Sequence, residues 1–327
     1  MTAVIVPNQI RDTVETRAPL SLLRATPSYV TRRGAAYLGD ALELVRQLPE
    51  ASVNLVITSP PYALEFKKEY GNEPQDRYVE WFLPFAHEVR RVLRPDGSFV
   101  LNIGGAWQKG RPTRSLYHFK LLVALVELVG FYLAQDIYWY NPAKVPTPAE
   151  WVNVQRIRVK DAVEPCWWLS KSERPKASNR NVLVPYSDDM IRLIERGFRP
   201  KRRPSGHLAK ATWGQDNGGA IPSNVLIMGN NDSNGRYLAV LAAKGLRVHP
   251  ARFPVQLPEW FIRFLTDPDD IVVDIFGGSM TTGWAAERLD RRWLGFEIAP
   301  EYVEASRWRF FDDDGRLLSD AELGAAG

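Results

Sequence analysis

An apolar strand that runs straight into two consecutive prolines has few ways to continue. Here Val53-Asn54-Leu55-Val56-Ile57 leads into Thr58-Ser59-Pro60-Pro61-Tyr62. The nearly unbroken apolar run reads as a strand buried on both faces, the habit of parallel sheets. Proline lacks an amide proton and has a fixed φ, so ladder pairing stops at Pro60. Pro61 then confines Pro60 to extended geometry. The strand therefore ends in a stiff, open loop. Strands joined by crossovers are expected on either side, and the chain supplies them. A strand at about 35–39 is followed by a helix over 40–48. Tyr78, Trp81, Phe82, Phe85, Val89, Val92 and Leu93 recur at helical spacing, and Arg94-Pro95-Asp96-Gly97 reads as the turn after them. A strand over 98–103, a helix over 115–129 and a strand over 131–140 follow. Regular alternation returns from His249 to Phe311. This predicts an α/β fold with a mostly parallel sheet and right-handed crossovers.

Between these blocks the pattern fails. Residues 141–231 carry many prolines and glycines and one further strand near 162–169. The expected organisation is an N-terminal arm over 1–30, a core from 31–140 and 245–312, an inserted region over 141–244, and an acidic tail over 313–327. The charges and Gly71 between 64 and 75 predict a mobile loop beside the proline turn.

The chemistry of the loop is specific. An amine conjugated to a base ring is a poor nucleophile because its lone pair is delocalised. Two hydrogen-bond acceptors on its N–H groups would leave that lone pair aimed at a methyl donor. Ser59 Oγ can be one acceptor and the Pro60 carbonyl the other, with Tyr62 offering an aromatic face to an extruded base. An ordinary strand-to-loop turn is the plainer reading of the same residues.

A second strand, Ile271–Val273, runs into Asp274-Ile275-Phe276-Gly277-Gly278-Ser279 and a helix beginning near Thr281. Adjacent glycines let the backbone turn tightly and approach a ligand, the usual nucleotide-binding position of an open α/β sheet. Glu297 ends the next strand, 23 residues beyond Asp274, where an acid suits ribose hydroxyls. The turn is not G-x-G-x-x-G and has no lysine after its glycines, which argues against a dinucleotide or a P-loop triphosphate. With the Ser59 loop it points to S-adenosylmethionine. Simple turn and helix capping compete for Asp274 and Thr281. Asp40-Ala41-Leu42-Glu43 fits a capping box, and Asp40 is also placed to reach an adenine amine.

With 327 residues and 45% apolar composition the chain can build a large core. No apolar run approaches a membrane span, and no signal peptide is evident, so a cytoplasmic protein is expected. One cysteine, Cys166, excludes an internal disulfide framework, and four scattered histidines give no metal-ligand spacing. The net charge is +4, but Arg196, Arg199, Lys201, Arg202, Arg203 and Lys210 cluster with no acid among them. Such a block suits phosphate contacts, as it would a solvated loop.

Taken together these elements resemble the β-class amino-methyltransferases of DNA, over residues 35–311. The order matches: Ser59–Tyr62, the irregular stretch, His249-Pro250-Ala251-Arg252-Phe253-Pro254, Asp274–Gly278, then Glu297. Glu150-Trp151-Val152-Asn153, Lys160-Asp161-Ala162-Val163, Pro204-Ser205-Gly206-His207, Asp216-Asn217-Gly218-Gly219 and Thr281-Thr282-Gly283 extend the likeness to the PvuII-type cytosine-N4 modification methylases. The resemblance implies a Rossmann-like S-adenosylmethionine-dependent fold with circularly permuted motif order and a smaller target-recognition region. It implies that Ser59, Pro60, Pro61 and Tyr62 are catalytic. Asp40, Thr58, His249, Phe253, Asp274, Phe276, Gly277, Gly278, Ser279, Thr281, Thr282 and Glu297 would line the cofactor site. Arg199, Lys201, Arg202, Arg203, Ser205, His207 and Lys210 would contact double-stranded DNA. A companion restriction endonuclease and a homodimer are expected partners.

Three rivals stay open at this point. Adenine-N6 transfer asks for the same two acceptors, although serine at the first loop position leans to cytosine N4. A catalytically silent DNA-binding relative would keep the fold without the chemistry. A cytosine-C5 route would need Cys166, in Pro165-Cys166-Trp167, as a covalent nucleophile; its apolar strand offers nothing to lower the thiol pKa.

Overall fold

The computed structural model describes residues 16–64, 73–197, 201–202, 208–209, 214–230 and 235–325. The strands, in chain order, are β1 (Tyr29–Val30), β2 (Gly34–Leu38), β3 (Val53–Thr58), β4 (Leu93–Asn102), β5 (Tyr132–Tyr140), β6 (Val163–Ser170), β7 (Lys201–Arg202), β8 (Leu208–Ala209), β9 (Val225–Ile227), β10 (Ile271–Asp274) and β11 (Arg292–Glu297). Nine of them form one sheet in the order β1-β2-β11-β10-β3-β4-β6-β5-β9. The β1/β2, β4/β6 and β6/β5 pairs are antiparallel and the other five are parallel.

The side-chain alternation of the central strands explains the layering. Val56 of β3, with Ile271 and Val273 of β10, faces one core beside Val45, Phe82, Val89 and Leu121 from helices Ala41–Gln47, Tyr78–Val92 and Tyr117–Glu127. Leu55, Ile57 and Val272 face the opposite core with Phe261, Trp284 and Val303 from helices Gln256–Leu265, Thr281–Arg288 and Pro300–Ser306. Both faces are covered, as an unbroken apolar strand demands. From the adjacent pair β10 and β3, successive strands proceed outward in opposite directions. Their carboxyl ends thus flank the crevice where open α/β sheets bind ligands. Among the described residues no helix is long and apolar enough to cross a membrane.

Two sequence expectations need correction. Arg94–Gly97 is not a turn between elements but lies within β4, where pairing jumps from Val53↔Leu93 to Leu55↔Ser98. Four residues bulge opposite Asn54, so the proline is accommodated without ending the strand. The strand near 162–169 belongs to the main sheet as β6, wedged between β4 and β5, and its Cys166, Trp167 and Leu169 are buried. Only residues 177–223 form a second compact unit, with 224–327 returning to the first. Within that smaller unit, Ser187 caps helix Asp188–Arg196 and Val184 pairs with Ala220. In the segment read as an acidic tail, Leu318 and Leu323 are buried in the main unit. The expected mobile loop over 64–75 falls mostly outside the described residues.

Candidate active site

At the carboxyl end of β3 the proline loop is pinned from outside. Tyr78 Oη donates to the Pro61 carbonyl at 2.7 Å, and Gln75 Nε2 donates to the Ala63 and Trp107 carbonyls. Ser59 Oγ lies 3.2 Å from Asn102 Oδ1, the last side chain of β4. Asn102 Nδ2 donates to the Pro165 carbonyl at 3.3 Å, which turns Oδ1 toward the loop. The hydroxyl proton has two acceptors in reach, Asn102 Oδ1 and Tyr62 Oη at 3.4 Å, and given to either it leaves the serine lone pairs for an incoming N–H. Tyr62 Oη lies 3.0 Å from Asn102 Oδ1 and 2.8 Å from Glu164 Oε2, while Lys144 Nζ holds Glu164 Oε1 at 2.5 Å. Burial and the Glu164 charge push the Tyr62 phenol well above its usual range, so it stays protonated. Gly104 makes room for the ring, since a Cβ there would sit 2.5 Å from it.

The glycine turn follows β10. Asp274 is buried, and its Oδ1 accepts from Thr58 Oγ1 at 2.6 Å and Phe276 N at 3.1 Å. Its Oδ2 accepts from Thr282 Oγ1 at 2.6 Å. Burial raises its pKa above the ordinary carboxylate value despite these three donors. The plainer reading of Asp274, turn and helix-start bonding, is therefore what its oxygens do, and Thr58 and Thr282 are its partners. At Gly277 a Cβ would meet Met280 Sδ at 2.7 Å and the Phe296 carbonyl at 3.1 Å, so a side chain there would make both neighbours shift. Gly278 adopts φ +52°, and a Cβ there would lie 3.3 Å from the His249 ring. Glu297 Oε2 accepts from Gly278 N at 2.8 Å and Oε1 from Ala299 N at 2.9 Å, with burial raising its pKa. Ser279 Oγ meets Thr281 Oγ1 at 3.0 Å, and the buried Arg309 donates to the Ser279 carbonyl at 2.7 Å. Asp40 Oδ1 accepts from Leu42 N and Glu43 N, as a helix cap does, and Asp40 also borders the cavity.

One cavity of about 490 Å³ joins the two ends, a size usual for small-molecule sites. Ser59, Pro60, Pro61 and Tyr62 line it at one end; Phe276, Gly277, Gly278 and Ser279 line it at the other. Asp40, His249, Phe253, Asp274, Thr281 and Glu297 also border it, whereas Thr58 and Thr282 stand behind it on Asp274. Burial and the nearby Arg252 hold the His249 imidazole down at about 4, so the ring is neutral at physiological pH. Cys166 is buried and its thiol is pushed up by that burial, unlike an activated nucleophile. Among the described residues no cluster could hold a metal ion.

Of the expected DNA contacts, Arg199, Arg203, Ser205, His207 and Lys210 lie outside the described residues; Lys201 and Arg202 form β7, with only their backbone described. A different basic face is visible in the main unit. Arg158 donates to the Pro112 carbonyl at 2.8 Å and 3.1 Å, tying loop 108–114 to segment 154–160, while Arg114 pairs with Asp161. Lys109, Arg111 and Arg156 are exposed there with no acidic partner among the described residues. Val154 (69%), Ile157 (47%) and Val159 (86%) stand exposed between these cations. Asn102, Lys144, Glu164 and this face were all missed by sequence reasoning. Asn102 follows an apolar run as the polar last residue of a strand, the one local signal available.

The family model described as DNA methylase (N6_N4_Mtase) matches residues 53–307. The type II methyltransferase M.PvuII of Proteus hauseri is 55% identical over 291 residues, 88% of this chain and 87% of that one. A solved PvuII DNA methyltransferase, described as cytosine-N4-specific, superposes with a TM-score of 0.74 at 48% identity, covering 93% of this chain and 94% of that chain. A Thermus thermophilus protein solved with S-adenosyl-L-methionine shares the fold alone, with a TM-score of 0.52 at 23% identity over 84% of this chain and 91% of its own.

Proposed function

The chain belongs to the DNA methylase family of N6 and N4 enzymes, and from that premise we propose that it methylates the exocyclic N4 amine of a cytosine extruded from duplex DNA. The setting is a restriction–modification system, as for its M.PvuII relative. The observation that carries this reading is one cavity bordered by both the Ser59 loop and the Gly277 turn. S-adenosyl-L-methionine supplies an electrophilic methyl group on a positively charged sulfur. The residues fit it: a glycine turn whose backbone borders the cavity, a buried acid at Glu297 that keeps acceptor capacity for ribose hydroxyls, and an imidazole that carries no charge to repel a sulfonium. Asp40 would serve the adenine end.

Ser59 Oγ and the Pro60 carbonyl would accept the two amine protons and stabilise positive charge growing on the nitrogen. Their rigidity aligns nucleophile and methyl, which supplies much of the rate without a strong base. Extruding the cytosine costs a few kcal/mol, offset by the pocket and by phosphate contacts. Nucleoside mass spectrometry of DNA treated with the protein is expected to show N4-methylcytosine. N6-methyladenine or 5-methylcytosine in its place would overturn the assignment.

The basic block at 196–210 remains a proposed DNA contact, and the face built by Lys109, Arg111 and Arg156 joins it. Neutralising those three together should weaken DNA binding and flatten its log–log salt dependence by roughly 0.9 for each phosphate no longer neutralised. An unchanged slope in a fluorescence-anisotropy salt titration would remove this face from the interface. A companion endonuclease cutting the same site, pairing of two copies, and a cytoplasmic location beside the DNA substrate extend the reading.

A further inference from the structure

From Ser59 a chain of hydroxyls leads to an acid. Ser59 Oγ lies 3.4 Å from Tyr62 Oη, and Tyr62 donates to Glu164 Oε2 at 2.8 Å. Lys144 Nζ holds the other carboxylate oxygen at 2.5 Å, leaving Oε2 to the phenol. All four residues border the cavity. Glu164 comes from β6, on the far side of β4 from the proline loop, and its side chain is 15% exposed. The nearer polar neighbour of Ser59 is Asn102, whose amide cannot take up a proton under physiological conditions. An amine that gains a methyl group has a proton to lose, and the acceptor loop itself contains no base.

We propose that Glu164 is the proton acceptor of this active site, reached from the substrate amine through Ser59 and Tyr62. The proposal rests on the amine-methylation reading above. As the new N–C bond forms and the sulfur departs with the electron pair of the broken S–C bond, the amine N–H proton passes to Ser59 Oγ. The Ser59 proton passes to Tyr62 Oη, and the Tyr62 proton to Glu164 Oε2. A neutral methylated amine and a protonated carboxyl result, and both hydroxyls are restored. Glu164 then returns its proton to solvent through its exposed edge.

The groups facing Glu164 are Lys144 from the loop after β5, Tyr62 from the loop after β3, Tyr117 from its helix and Cys166 on β6. Burial pushes the two phenols and the thiol upward, so they stay protonated across the acid range. The relay needs Glu164 as a carboxylate, and it puts exchangeable protons in flight during methyl transfer.

The test is single-turnover methylation in H2O and in D2O for the parent, Glu164→Gln, Tyr62→Phe and the double variant. Cofactor affinity by calorimetry and base extrusion by 2-aminopurine fluorescence accompany it. Glu164→Gln is expected to lose about 10²-fold or more and to lose the parent's solvent isotope effect, with affinity and extrusion unchanged. The double variant should be no slower than the slower single, because both interrupt one path. A solvent isotope effect that survives in Glu164→Gln, losses that multiply in the double variant, or a loss matched by weaker binding or extrusion would overturn the relay. A parent that methylates cytosine while Glu164→Gln keeps its isotope effect sinks the relay alone; a parent that leaves cytosine unmodified sinks the underlying reading.

Discussion

Replacing Ser59 with alanine is expected to cut turnover by roughly 10²–10³-fold while leaving cofactor affinity intact, the scale seen when one preorganised dipole facing developing charge is removed. The hydroxyl makes its contacts at the proline-loop end, with Asn102 and Tyr62, and none of them reaches the glycine turn. Its loss leaves one amine N–H without an acceptor and Asn102 Oδ1 with a single phenol neighbour. Both changes weigh on the transition state more than on ground-state binding. Calorimetry for the cofactor and single-turnover kinetics for the methyl group separate the two quantities. Undiminished turnover would remove Ser59 from the chemistry; a fall in affinity that accounts for the whole loss would recast it as a binding residue.

Asp274→Ala should do the opposite kind of damage. Three donors converge on that buried carboxylate, from Thr58, Thr282 and the Phe276 amide. Truncation strands the Thr58 and Thr282 hydroxyls, while the Phe276 amide keeps Thr58 Oγ1 as acceptor at 3.2 Å; each unsatisfied group costs about 1–3 kcal/mol. Stability should drop by at least about 2 kcal/mol, with cofactor affinity weakened alongside because the Phe276–Ser279 turn loses the carboxylate that helps anchor it. Urea denaturation with and without cofactor reads both effects. A variant as stable as the parent would show that the carboxylate is no structural hub.

Much of this was legible in the chain because the decisive chemistry is local. Proline restricts its own φ and the residue before it, so the Ser59 loop announces its stiffness to any reader. The glycine turn does likewise, and the Asp40 cap was visible as Asp followed three residues later by Glu. Asn102 and Glu164 were not legible, since only the pairing of β3 with β4 and of β4 with β6 brings them to Ser59. The strand β6 was placed in the irregular stretch because prolines and glycines surround it, yet its apolar core claims a central place in the sheet. Asp274 shows two roles at one residue. Its sequence position suggests a ligand contact and it borders the cavity, while its oxygens also hold Thr58, Thr282 and the Phe276 amide. The face of Lys109, Arg111 and Arg156 eluded a reading by charge runs because its two segments lie more than 40 residues apart along the chain.

The bond between Thr58 and Asp274 crosses from one parallel strand to its neighbour, and 216 residues of polypeptide separate its two ends. Donor platform and acceptor platform are thus soldered at the root, like two tines of a single fork. Aligning them needs no hinge to swing shut, and the order in which ribosomal synthesis delivers the tines is irrelevant to the gap between them.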